Sequence, residues 1–257
     1  MKKSFKKFSL VALGWAIALT GCNGASSSSS VLPSTHTSVR IRFVDGAPLL
    51  ETPIGSTPQS ICAGASAPCY LQVNGQSVTQ SFYYGSISPF VGVPSGTLAL
   101  VARDEAGYAV GPLKTPPLAG GSTYTIAVIG SYPKYQVVAF AEPGPSSDAR
   151  LSLYEASPSV PQAAFGSFRA SSESDFKQRG AAKLGNVETV SLGKNVTDLG
   201  GYVGTAANRL GQITVRQIDS FDKHSALPFH VVSRLSLFLF DSKASSSHGP
   251  VFGALDQ

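Results

Sequence analysis

The chain has 257 residues, 42% of them apolar and only 14% charged, with 26 Gly, 17 Pro and three Cys. Four of its 20 basic residues sit at positions 2, 3, 6 and 7, so residues 22–257 carry 16 bases against 15 acids. With no basic excess and no clustered Lys/Arg face, electrostatic nucleic-acid binding is excluded as a working function.

The first element is MKKSFKK, followed by FSLVALGWAIAL, twelve uncharged residues. A basic start and a short apolar run read as a signal peptide over residues 1–21; spanning a bilayer needs about 20 apolar residues. The stretch Leu19-Thr20-Gly21-Cys22 resembles the bacterial lipobox. That resemblance implies cleavage before Cys22, a diacylglyceryl group on its thiol and a fatty acyl chain, such as palmitate, on its amino group. Residues 22–37, rich in serine, cannot bury apolar area and are read as a flexible tether. The expected address is the cell envelope, with the membrane as partner through the Cys22 lipid. Asn23, rather than Asp, after the cysteine implies an outer membrane where the cell has one, facing periplasm or exterior.

Beyond the tether, strands follow one another. "SVRIRFV" alternates Val39, Ile41 and Phe43 against Arg40 and Arg42, the period of a half-buried strand. Cys62 and Cys69 enclose AGASAP and are the two thiols left once Cys22 is acylated. Outside the cytoplasm they predict a disulfide, which adds roughly 2–3 kcal/mol by loop closure; a zinc site would want four ligands. "CYLQVNGQSV" turns at Asn74-Gly75, a strong hairpin signal. "SFYYGSISPF" gathers Phe82, Tyr83, Tyr84 and Phe90. Most of these rings are expected in a core. Adjacent residues of a strand point to opposite faces, however, so Tyr83 or Tyr84 should lie on an outer surface or between domains, as a candidate binding position. "TLALVARDEAGY", "STYTIAVIG" and "YQVVAFAEP" continue the series.

The second half repeats the first. "RIRFVDGAP" (40–48) aligns with "RLSLYEASP" (150–158), and "LALVARDEAGY" (98–108) with "ITVRQIDSFDK" (213–223). "TYTIAVIG" (123–130) aligns with "LSLFLFDS" (235–242), and "YQVVAFAEP" (135–143) with "GPVFGALDQ" (249–257). The offsets are 110, 115, 112 and 114. The predicted fold is all-β, with two tandem antiparallel β-sandwiches, Ig-like or transthyretin-like, at 38–143 and 149–257 and a linker at 144–148. A short helical insert is expected within 171–192, where Ser-Glu-Ser-Asp precedes Phe176. In "LSLFLF", Leu235, Leu237 and Leu239 face one way, leaving Phe238 and Phe240 to be covered by the first domain, the insert or a partner.

"VRIRFVDGAP", "YLQVNG", "YYGSISPFVGVPSGTLALVA" and "PLAGGSTYTIAVIG" resemble the domain-of-unknown-function 4397 family of secreted bacterial proteins. The match covers 38–143; the second copy keeps "EASP" and "LGNVETVSLG" but lacks the V-P-x-G and G-x-x-Y-T pieces. The resemblance implies an envelope β-sandwich and no particular activity.

Catalytic signatures are weak. His36, His224, His230 and His248 fall in the tether, turns and loops, and neither G-x-S-x-G nor H-E-x-x-H occurs. Ser174 and Lys177 match S-x-x-K without its partner motifs and read as a surface helix turn. The acid pairs Asp104–Glu105 and Asp219–Asp222 fall in hairpin turns, where acids solvate the turn. The sequon at Asn195 carries no expectation in a bacterial lipoprotein. The expectation is therefore a non-enzyme, without cofactor or metal, that is a structural, adhesive or ligand-binding module for an envelope protein or glycan. Two alternatives stay open: an envelope hydrolase acting on glycan or peptidoglycan, and an assembly factor offering a strand edge.

Overall fold

The computed structural model describes residues 37–62, 64–169, 171–194, 196–206, 208–214, 233–241 and 250–256. The leader, Cys22, the tether up to His36, Asn195, Asp219, Asp222, His224, His230 and His248 lie outside them.

The N-terminal half supplies β1 (Ser38–Asp45), β2 (Glu51–Ile54), β3 (Thr57–Ser60), β4 (Cys69–Val73), β5 (Gln76–Phe82), β6 (Val91–Pro94), β7 (Ala99–Arg103), β8 (Ala109–Lys114), β9 (Thr123–Ser131) and β10 (Lys134–Ala141). The C-terminal half supplies β11 (Ala149–Glu155), β12 (Gln162–Arg169), β13 (Ser172–Lys183), β14 (Val187–Gly193), β15 (Gly200–Gly204), β16 (Arg209–Thr214), β17 (Arg234–Leu239) and β18 (Val251–Asp256). Sheets β10-β9-β1-β6 and β5-β4-β7-β8 form one sandwich, and sheets β14-β11-β17-β18 and β13-β12-β15-β16 form the other. Hairpin β2–β3 stands beside the first. No sheet among the described residues mixes strands of the two halves.

Local chemistry explains the elements. In β1, Val39, Ile41 and Phe43 enter the first core, whereas Arg42 and Val44 face the other way. The β4–β5 turn places Asn74 at φ 49° and Gly75 at φ 83°, the paired positive values of a type I′ hairpin. Cys62 and Cys69 form the expected disulfide and join that core. Pairing is antiparallel throughout except at the first strand of each copy: β1 runs parallel to β9, and β11 parallel to β17. Alternation reports burial, not strand direction, so the sequence carries no sign of this.

The repeat is real, and the ladders correct its register. Ile41 pairs with Tyr124, and Leu151 with Leu235, so β9 and β17 correspond at an offset of 111. The sequence alignment, at 112, was one residue out. One residue matters, because it exchanges faces. Ile126 and Val128 match Leu237 and Leu239, all inside their own sandwiches. Ala127 and Ile129 match Phe238 and Phe240, which face between the halves. A second correspondence is replaced outright. In the sheet order, β15 occupies the place of β7, and Ile213 lies at the end of β16, the place of β8.

The helical insert is also corrected. Residues 172–183 and 187–193 are strands β13 and β14. Gly180 and Ala182 turn to the core opposite Phe165 and Ala163 while Ala181 and Lys183 stay exposed, a period of two. A register shift between Phe165 and Gly166 then moves Phe176 to the outer face, and this pairing with β12 outweighs the acidic N-terminal signal.

Three cores follow one another through the molecule. One fills the first sandwich, one fills the second, and a third lies between sheet β10-β9-β1-β6 and sheet β14-β11-β17-β18. The result is four stacked sheets with three apolar layers. The linker residues 144–147 are exposed and carry none of this packing.

Candidate functional site

Cys62 and Cys69 lie in the first core, whereas the middle layer holds Tyr84, one of the two candidate binding tyrosines, and the two phenylalanines expected to need cover. Phe238 and Phe240 are fully buried there, covered by the first sandwich. Each contributes roughly 1.5–3 kcal/mol by burial. Tyr154 stacks on Phe238 with ring centroids 4.6 Å apart, and Phe140 meets Tyr154 edge-on at 5.4 Å. Tyr84 crosses from the first half, edge-on to Phe252 at 5.1 Å, and its hydroxyl donates to the Asp241 carbonyl at 2.8 Å. Burial pushes that hydroxyl up to about 12, with help from Asp241 and Asp45. Tyr84 thus lies between the halves, one of the two places the alternation allowed. Tyr83 is half-buried in the same turn, its backbone N–H donating to Ser86 Oγ at 2.9 Å.

Glycines let the rings close in. A Cβ on Gly46 would sit 2.2 Å from Phe240 Cδ1, and one on Gly85 would sit 2.1 Å from Phe252 Cε1. The approach of sheet to sheet requires both hydrogens.

One end of this layer holds a ring of four charges. Arg42 Nη1 bonds Asp256 Oδ1 at 2.5 Å, and Arg42 Nη2 meets Glu142 Oε1 at 3.3 Å. Arg234 Nη2 meets Glu142 Oε2 at 2.6 Å and Asp256 Oδ2 at 2.8 Å. Two of the contacts stay within a half and two cross, so the cycle closes through both copies with no net charge. Thr125 and Tyr154 donate to Glu142, and Ser236 donates to Asp256. Burial alone would raise the Asp256 carboxyl, but Arg42, Arg234 and Ser236 together hold it below its ordinary value. Glu142 and Asp256 are equivalent positions of the two copies, at the ladder-derived offset of 114.

The other end holds a pair of buried acids at matching positions. Asp45 Oδ1 accepts the Ala47 N–H at 3.0 Å, and Glu155 Oε1 accepts the Ser157 N–H at 2.9 Å. These are the fourth-residue acids of "RFVD" and "SLYE", each closing the turn that follows its strand. Burial pushes both carboxyls up to about 8, against the lowering effect of those backbone bonds; Asp241 adds to the rise at Glu155. Glu155 Oε2 is buried with no hydrogen-bond partner.

Sequence reasoning found the coverage of Phe238 and Phe240 but not the charge ring, whose members lie up to 214 residues apart. Its one visible trace was Arg42, which stands between the apolar Ile41 and Phe43 on the face of β1 turned away from the first core.

Two open concavities lie on the surface, neither of them inside this joint. One, of about 390 Å³, is lined by Arg40, Phe90, Ser122 and Thr123 among others, with the Arg40 guanidinium 4.8 Å from the Phe90 ring. The other, of about 210 Å³, lies beside Tyr202, Asn208 and Arg209 on the outer sheet of the second sandwich.

Among the described residues considered for chemistry, Asp104, Glu105 and Lys177 line neither. Asp104 accepts the Tyr108 N–H at 2.8 Å and serves the β7–β8 turn. Ser174 and Lys177 both lie on strand β13, so the helical turn on which the S-x-x-K spacing depends is absent. Among the described residues, no group of three or more His, Cys, Asp or Glu could hold a metal ion. No family model matches the chain, and no curated protein is similar to it.

Proposed function

We propose that the protein is a lipid-anchored, non-catalytic module of the bacterial cell envelope, holding a double β-sandwich at the membrane surface to bind an envelope component. The observation that carries the reading is LTGC at 19–22 behind a basic, short apolar leader. Two or three acyl chains on Cys22 would anchor essentially permanently, where one alone is marginal. The fused middle layer supports a spacer or adhesive role, since it joins two repeats into one body instead of two beads. Affiliation with the domain-of-unknown-function 4397 family belongs to the same proposal and rests on the motifs of residues 38–143.

The test is metabolic labelling with an alkyne analogue of palmitate in a bacterial host, followed by membrane fractionation. The wild-type chain is expected in the membrane fraction, labelled, and Cys22→Ser is expected unlabelled and displaced from it. An unlabelled wild-type chain that stays soluble would overturn the anchor.

A further inference from the structure

The outer face of sheet β13-β12-β15-β16 carries aromatic rings that its own core does not use. Phe176 meets Phe168 at 5.1 Å and Tyr202 at 5.1 Å, and none of the three belongs to the inner cluster of this sandwich. Glycines underlie them. A Cβ on Gly166 would come within 2.6 Å of the Tyr202 ring, and one on Gly200 within 2.2 Å of Phe168, so both rings lie down on the sheet. Tyr202 remains half-exposed beside the 210 Å³ concavity.

At its edge stands a cation already held in place. The exposed Arg209 guanidinium lies 3.7 Å from the Phe176 centroid, and its Nη1 donates to Gln212 Oε1 at 2.9 Å. Among the described residues no carboxylate forms an ion pair with it. The first sandwich offers an internal comparison. The matching face of β4 and β7 carries Tyr70, which meets no other ring among the described residues, and its Arg103 turns back onto the Gly107 carbonyl of its own hairpin at 2.6 Å. The fold therefore does not demand the ladder of rings or the poised guanidinium.

We infer that this face is a binding site for an acidic saccharide: one sugar ring stacks on Tyr202 and its carboxylate takes the Arg209 guanidinium. Flat aromatic faces receive the apolar side of sugar rings while a wet rim serves the hydroxyls, and a fixed guanidinium matches a carboxylate. The adjoining Asn208 is exposed at the same rim. The inference deepens the binding role proposed above and rests on it.

The test is isothermal titration of the full chain in detergent with tri-galacturonate, maltotriose and inorganic phosphate. Saturable binding is expected for tri-galacturonate, with Tyr202→Ala and Arg209→Gln each weakening it by about tenfold or more, and Tyr202→Phe retaining it. Arg209→Gln changes an exposed side chain, so it reads the site even if Tyr202→Ala fails to fold. No binding of tri-galacturonate, equal binding of maltotriose or phosphate, or an affinity unmoved by Arg209→Gln would overturn the assignment. Palmitate labelling of the same variants should stay at the wild-type level, which separates loss of this site from failure of the anchor.

Discussion

Replacing Arg42 by methionine takes one charge out of a closed, neutral ring. Arg42 is 2% exposed and supplies two of the four ion pairs, so its loss leaves Arg234 alone between Glu142 and Asp256. Methionine keeps much of the volume packed on Phe90 and Phe238, which isolates the electrostatic part. Breaking a buried pair from one side destabilises by about 3–5 kcal/mol, because the partner is left buried and uncompensated. Adding Asp256→Leu returns the ring to one cation and one anion, so the double variant should lose less than the two single variants summed. A coupling of about 1–3 kcal/mol is expected. Urea denaturation of the four chains, at low and high salt, measures it; the buried pairs should respond little to salt. A loss below about 1 kcal/mol in Arg42→Met, or strict additivity, would refute the ring as a working joint.

The buried acids set a pH dependence of unusual sign. Asp45 and Glu155 hold their protons up to about 8 in the folded chain, and to about 4 when unfolded. Between those values the folded state binds more protons, so stability falls as pH rises, by up to about 1.4 kcal/mol per pH unit per group. Asp256 acts oppositely, its share being lost as pH falls below about 4; the stability maximum should therefore lie near pH 4–5, and Glu155→Gln should roughly halve the alkaline slope in denaturation profiles. Gly46→Ala drives a methyl into the Phe240 ring and should destabilise by about 1–3 kcal/mol. Gly92→Ala, with nothing within 4 Å of the added carbon, should stay within about 0.5 kcal/mol of wild type by the same assay.

Much of the architecture could be read from alternation. Val39, Ile41 and Phe43 identify β1 and its inner face, and Asn74-Gly75 identifies the turn between β4 and β5. The doubly apolar "LSLFLF" showed that a second surface had to cover Phe238 and Phe240. What escaped was pairing information. Strand β9, "TYTIAVIGS", is apolar on both parities because both its faces are buried. Its alignment with β17 could therefore slip by one residue without an obvious penalty. The helix expected near Ser172 failed for a related reason: local acids suggested a helix terminus, while pairing with β12 selected a strand. Parity left open which of Tyr83 and Tyr84 would leave the core and where it would go. Both lie past the end of β5, in a turn where alternation no longer applies, and the partners of Tyr84, Phe240, Phe252 and Asp241, required the tertiary fold.

Scanning calorimetry of the full chain decides most directly whether the middle layer makes one body of two sandwiches. One transition is expected, with equal calorimetric and van 't Hoff enthalpies, near 130 kcal/mol from the described residues at roughly 0.7 kcal/mol each. Two resolved transitions in the wild-type chain, each with about half that enthalpy, would contradict it.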